Sequence, residues 1–245
     1  MSKGEYQTRI FPARPPVFSP MPMEALILYF VLFFPEIYVS GLSAAAEAVE
    51  TIPFFTFREL GRTLTYTIPS IALIWYIIGR KKLSAFISRK FRVKDFIAFL
   101  IGFSGLILIS LSISFLVSIF LQYYDFIPSP PKIEAPVNAV GWTVLVFSCL
   151  GTGYLEESFF RYYLLTKYEK SIPQIQVRVI FSTFLFSLCH IYEGPGGFIN
   201  AVLAGILLSA LFIRYKSLHG IAWAHCAYNI FVYIMGLFGS RNASH

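Results

Sequence analysis

Three sets of strongly polar side chains lie inside long apolar stretches of this 245-residue chain. Glu156 and Glu157 are adjacent, with Arg161 following, near the C-terminal end of an apolar stretch over 137–166. His190 closes a second stretch one turn beyond Phe186, and His225 and Asn229 lie four apart within a third. A charge at membrane depth costs about 2.5 to 3.5 kcal/mol even on the lenient insertion scale, so such groups turn toward a protein interior or a wet cavity. On a helix Glu157 and Arg161 share a face and can pair, as do His225 and Asn229, while Glu156 points about a hundred degrees away. Each set alone has an ordinary alternative. The acids and arginine could be an interfacial charge group with Arg161 snorkelling; His190 could be a boundary residue beside Tyr192 and Glu193; His225 and Asn229 could serve interhelical hydrogen bonds. Together they outline a hydrolase acting on an amide. A carboxylate and a histidine around a water form a general base with its orienting partner, and a histidine and an asparagine on a rigid helix can donate to a developing oxyanion.

The elements that would hold these groups are membrane helices. Hydrophobic residues make up 56% of the chain, charged residues 13%, and the mean hydropathy is +0.66, against about 25% charged residues in a soluble domain. Twenty-six phenylalanines, fifteen tyrosines and long unbroken apolar runs fit helices in lipid and not the alternation of an outer-membrane barrel. The net charge of +7 belongs to cytoplasmic loops rather than to a nucleic-acid surface. Cys149, Cys189 and Cys226 are odd in number, have no zinc spacing and read as small core residues. No secretory signal peptide is expected, since basic and proline-rich residues precede the first apolar run without a small-residue cleavage site.

Seven apolar segments follow in order: 25–42, broken by Pro35 and Glu36; 64–78, holding Pro69; 96–121; 137–166; 179–192; 198–213; and 218–238. This predicts an all-α, polytopic transmembrane bundle of about seven (six to eight) helices. Its parts are a cytoplasmic leader over 1–22, N-terminal membrane helices over 23–136 and a catalytic membrane core over 137–240. The connection 43–62, with Glu47, Glu50 and Glu59, reads as an interfacial helix. Residues 80–94 carry seven Lys and Arg and no acid, the pattern of a surface helix on anionic lipid. Residues 123–136 are too proline-dense for a helix. Ala201, Gly205 and Ser209 form a stripe of small residues that lets a neighbouring helix approach.

An N-terminus on the cytoplasmic side collects Lys3, Arg9, Arg14, the seven of 80–94, Lys167, Lys170, Arg178, Arg214 and Lys216 there, leaving Arg58, Arg62, Lys132 and Arg241 opposite. Fifteen against four is a strong positive-inside bias, and it points to an integral protein of the plasma (cytoplasmic) membrane. The site is expected to open to that same side. On these limits His190 falls toward the outer end of its helix, on the order of 10 Å from the level of Glu156.

The succession Glu156-Glu157-x-x-x-Arg161, Phe186-x-x-x-His190 and His225-x-x-x-Asn229 on consecutive apolar helices resembles the CPBP family of membrane proteases, formerly called Abi. That family includes the type II CAAX prenyl endopeptidases and bacteriocin-processing or self-immunity proteins. The resemblance covers 142–235 and runs throughout 200–229; the first 135 residues share only a hydrophobic and basic character. It implies an intramembrane endopeptidase in which Glu156 activates water with help from His190. His225 and Asn229 would stabilise the oxyanion, and Glu157 and Arg161 would brace the site as an ion pair. It implies a membrane-associated protein or peptide substrate, prenylated in the CAAX class, with the lipid bilayer and no nucleic acid as the other partner. No cofactor is expected, because HExxH is missing and Asn229 suits a donor role. Zinc held by Glu156, His190 and His225 is the alternative. The competing function is a transporter, or a non-catalytic immunity or scaffold protein, with the same charges as a proton or ligand site.

Overall fold

The computed structural model describes residues 23–45, 51–52, 54–87, 90–123 and 132–242. The leader, Glu47, Glu50, the prolines between 124 and 131 and His245 lie outside that set. The chain is a helical bundle, as its composition predicts. Helix α1 covers Met23–Ala45, α2 Thr56–Arg62, α3 Ile68–Ile78, α4 Arg80–Ile87 and α5 Val93–Tyr123. They are followed by α6 Ala139–Glu156, α7 Leu164–Lys167, α8 Ile175–Leu188, α9 Gly194–Tyr215 and α10 Leu218–Asn242. A parallel pairing of β1 (Thr51–Ile52) with β2 (Lys132–Ile133) is the one strand ladder among the described residues.

Four helical runs are long and apolar enough to cross a bilayer: Val93–Tyr123, Ala139–Lys167, Ile191–Tyr215 and Leu218–Phe238. Met23–Pro35 and Ile175–Leu188 are shorter apolar helices. Along α5, Leu108, Leu111, Phe115 and Phe120 are all exposed. Such a surface would be a liability in water and matches hydrocarbon in a bilayer.

Two wide helical turns interrupt the ladder. In Thr63–Thr67, between α2 and α3, the backbone is π-helical, just ahead of Pro69, whose ring opposes the carbonyl four residues earlier; the wider turn makes room for it. The second, Glu157–Tyr163, joins α6 to α7 and holds two of the expected site residues. Such bulges are frequent at functional sites.

The boundaries differ from expectation at two places that matter. The second helix begins at Thr56 rather than at 64, so Glu59 and Arg62 belong to it and not to an interfacial connection. The fifth apolar helix begins at Ile175, four residues before its expected start, and ends at Leu188.

Small residues set the packing around the site. A Cβ at Gly153 of α6 would lie 2.7 Å from the Ala222 carbonyl oxygen of α10, so only glycine permits this approach. A Cβ at Gly205 would lie 2.9 Å from the Thr183 side chain of α8, so the expected stripe on α9 does bring a neighbour in. Gly102 and Gly105 of α5 serve α10 and α9 in the same manner. Arg178 is buried and donates to the carbonyls of Leu165 and Pro173, fastening the turn between α7 and α8.

Candidate active site

The close contact at Gly153 brings His225 of α10 against the two glutamates of the α6 junction. Glu157 is fully buried, and its Oε1 lies 3.1 Å from Nη1 of Arg161 and 2.9 Å from Nδ1 of His225. The other ring nitrogen, Nε2, stands 3.6 Å from Oε2 of Glu156. His225 thus sits between two carboxylates. The Glu156 Oε2 atom is buried without a hydrogen-bond partner among the described residues, although its side chain reaches a cavity. A buried, unmet acceptor facing a cavity is where water or a substrate N–H binds.

Phe186 organises the other wall. The Arg161 guanidinium lies over its ring at 4.2 Å, and the rings of His190 and His225 lie 4.7 and 6.0 Å from it. This contact adds a cation–π term to the buried ion pair. Nδ1 of His190 is 2.9 Å from the Phe186 carbonyl oxygen. A carbonyl only accepts, so Nδ1 carries the proton and Nε2 is left as an acceptor.

Glu156, His190, His225 and Asn229 all line one cavity of about 390 Å³. The expected offset of His190 does not occur. Helix α8 is only 14 residues long, about 21 Å, and His190, just past its end, lines the same cavity as Glu156. A second cavity of about 300 Å³, walled by apolar residues such as Leu106, Ala204, Leu208 and Val232, shares His190, His225 and Asn229 with the first.

Several lining residues carried no catalytic expectation. Glu193 borders both cavities; it precedes the Gly-Pro-Gly-Gly break and looked like a boundary acid. Arg58, Glu59, Arg62 and Ser148 line the far part of the larger cavity. Arg62 Nη2 donates to Ser148 Oγ at 2.9 Å, and Nε reaches Glu59 Oε2 at 3.3 Å. The i,i+3 spacing of Glu59 and Arg62 was the available signal, hidden by placing both in a connection. His219 stays outside the site, bonded to the Tyr154 hydroxyl at 2.6 Å and stacked on Phe86.

The cavity runs along the bundle away from helix α4. Phe86, on basic helix α4, packs at His219 near the start of α10, whereas the cavity wall includes Tyr233, fourteen residues and about 21 Å further along. From Glu156 it extends back along α6 through Ser148 to Leu145, away from the basic face.

Among the described residues no three His, Cys, Asp or Glu side chains are placed to hold a metal ion, and both nitrogens of His225 face carboxylates.

Residues 138–231 match the family model described as type II CAAX prenyl endopeptidase Rce1-like, in agreement with the motif resemblance. By this match the region is similar to CAAX-type membrane proteases. No curated protein and no solved structure matches the chain.

Proposed function

We propose, from the Rce1-like character of residues 138–231, that this chain is an intramembrane endopeptidase that hydrolyses a peptide bond of a membrane-associated protein or peptide through a glutamate-activated water. The observation that carries the reading is the convergence of Glu156, His190, His225 and Asn229 on one cavity.

Glu156 takes a proton from water as the oxygen attacks the peptide carbonyl carbon, while Nε2 of His190 accepts the water's other hydrogen and fixes its direction. The carbonyl oxygen becomes an oxyanion, which receives hydrogen bonds from Nε2–H of His225 and the Asn229 amide. Glu157 accepts Nδ1–H of His225 and, with Arg161, fixes the ring against rotation. Collapse of the intermediate breaks the C–N bond, and the proton held by Glu156 goes to the departing amine. The products are a carboxylic acid and an amine, and Glu156 is again a carboxylate. The smaller, apolar-walled cavity beside the site suits a lipid chain or apolar side chain on the substrate, in keeping with a prenylated CAAX-type sequence. Glu156→Gln is nearly isosteric, so cleavage is lost while insertion and abundance are kept.

A further inference from the structure

The smaller cavity is walled by Leu106, Ala201, Ala204, Leu208 and Val232, yet it also holds a polar pair outside the catalytic group. Asn200 of α9 and Tyr228 of α10 both line it, and neither borders the larger cavity. Asn200 Nδ2 donates to the Tyr228 hydroxyl oxygen at 3.2 Å. That oxygen therefore accepts on its Asn200 side, and its own O–H turns elsewhere. Asn200 Oδ1 is buried with no hydrogen-bond partner among the described residues. A polar pair left incomplete between apolar walls marks a place where an occupant supplies the missing partner.

Helix α10 sets how far this donor stands from the reacting bond. His225 precedes Tyr228 by three positions, so the two side chains leave one helix face with Cβ atoms about 5 to 6 Å apart. An extended peptide advances about 3.3 to 3.6 Å per residue. A strand whose scissile carbonyl meets His225 and Asn229 therefore brings another carbonyl to Tyr228 within one or two residues. A hydrocarbon chain offers the hydroxyl no acceptor, whereas a peptide offers a carbonyl at every residue.

We infer that the Tyr228 hydroxyl donates to a backbone carbonyl of the substrate one or two residues from the scissile bond, and that Asn200 orients the hydroxyl. The inference rests on the endopeptidase reading. It gives the smaller cavity to a peptide residue, whose side chain meets the apolar walls while its carbonyl meets Tyr228. Tyr228 is then a substrate-binding residue and Asn200 a positioning residue. A strand held at two carbonyls cannot slip by one residue without losing a hydrogen bond, so the pair would help to decide which bond meets Glu156.

The test uses the full chain in detergent micelles and fluorescent seven-residue peptides with S-farnesyl cysteine fourth from the end. Across the series each backbone carbonyl in turn becomes a thiocarbonyl, whose sulfur is the weaker acceptor. Binding is followed by anisotropy on the Glu156→Gln chain, alone and combined with Tyr228→Phe or Asn200→Ala, and cleavage of the all-oxygen peptide by the unaltered chain is followed in parallel. One thiocarbonyl, within two residues of the scissile bond, should weaken binding several-fold, up to the roughly tenfold cost of a whole hydrogen bond. Tyr228→Phe keeps the ring; it should weaken the all-oxygen peptide by at least as much and remove the penalty at that one position. Asn200→Ala should shrink the penalty without moving it to another carbonyl. Misfolding cannot produce a change confined to one carbonyl. A penalty that survives Tyr228→Phe, an all-oxygen peptide indifferent to that substitution, or no binding of any peptide overturns the inference, and cleavage by the unaltered chain then leaves the endopeptidase reading standing. A Tyr228-dependent penalty at one position without any cleavage overturns the endopeptidase reading and leaves the carbonyl contact standing.

Discussion

Nδ1 of His225 lies 2.9 Å from Oε1 of the fully buried Glu157, so the carboxylate that pairs with Arg161 also holds the histidine. Glu157 and His225 then act as a unit. Glu157→Gln should lower kcat by about 10²-fold with little change in KM, the pattern of a lost transition-state donor. Added to His225→Ala it should cost little more. Steady-state kinetics on the two single variants and the double variant measure this coupling; multiplying losses would show that the residues act independently.

Arg161 bears on stability. Its side chain is fully buried, pairs with Glu157 and lies over Phe186. Arg161→Met leaves the buried Glu157 carboxylate with His225 as its remaining partner, and breaking a buried ion pair in this way costs about 3 to 5 kcal/mol. Lys should restore little, since an ammonium neither stacks nor bonds as a planar fork. Thermal unfolding of the purified variants in detergent checks this, and an unchanged Tm would contradict it.

The helical bundle and the residues that meet in its centre were legible because their spacing is helical: Glu157 with Arg161, Phe186 with His190, His225 with Asn229. What the sequence hid is long-range. Nothing in the spacing joins Glu157 to His225, sixty-eight positions apart; that contact follows from Gly153 admitting the α10 backbone. Arg58 and Arg62 stayed hidden because charges near an apolar segment read as its flank, while here the helix continues through them and the π turn before Pro69 carries it on. The depth of His190 was misread because a helix of 14 residues stops within the bundle, and hydropathy does not mark where it begins.

Gly153 should tolerate no side chain. With the Ala222 carbonyl 2.7 Å from its Cβ position, Gly153→Ala forces α6 and α10 apart, costing about 1 to 3 kcal/mol and drawing His225 away from both glutamates. Gly61 has nothing within 4 Å of that position and lies in α2; Gly61→Ala should be neutral or stabilising by about 0.4 to 1 kcal/mol. Paired measurements of Tm and turnover separate the two, and equal effects would contradict the packing account.

The cavity and the basic helix should lie on opposite sides of the membrane. Single cysteines at Lys81, exposed on α4, and at Glu134, whose carbonyl accepts the Tyr233 hydroxyl at 2.6 Å, should react with an impermeant maleimide from opposite faces. Positive-inside placement puts Lys81 in the cytoplasm. Labelling of both from one face would contradict the arrangement.

The central claim is that Glu156 activates the attacking water, and its most direct measurement compares membrane-peptide profiles from cells carrying the unaltered chain with those carrying Glu156→Gln at matched abundance. The account predicts a cleavage product with the unaltered chain that is missing from the variant, and that product identifies the substrate. Identical profiles at equal abundance, with a shared phenotype retained by both chains, would contradict it and favour a non-catalytic membrane partner.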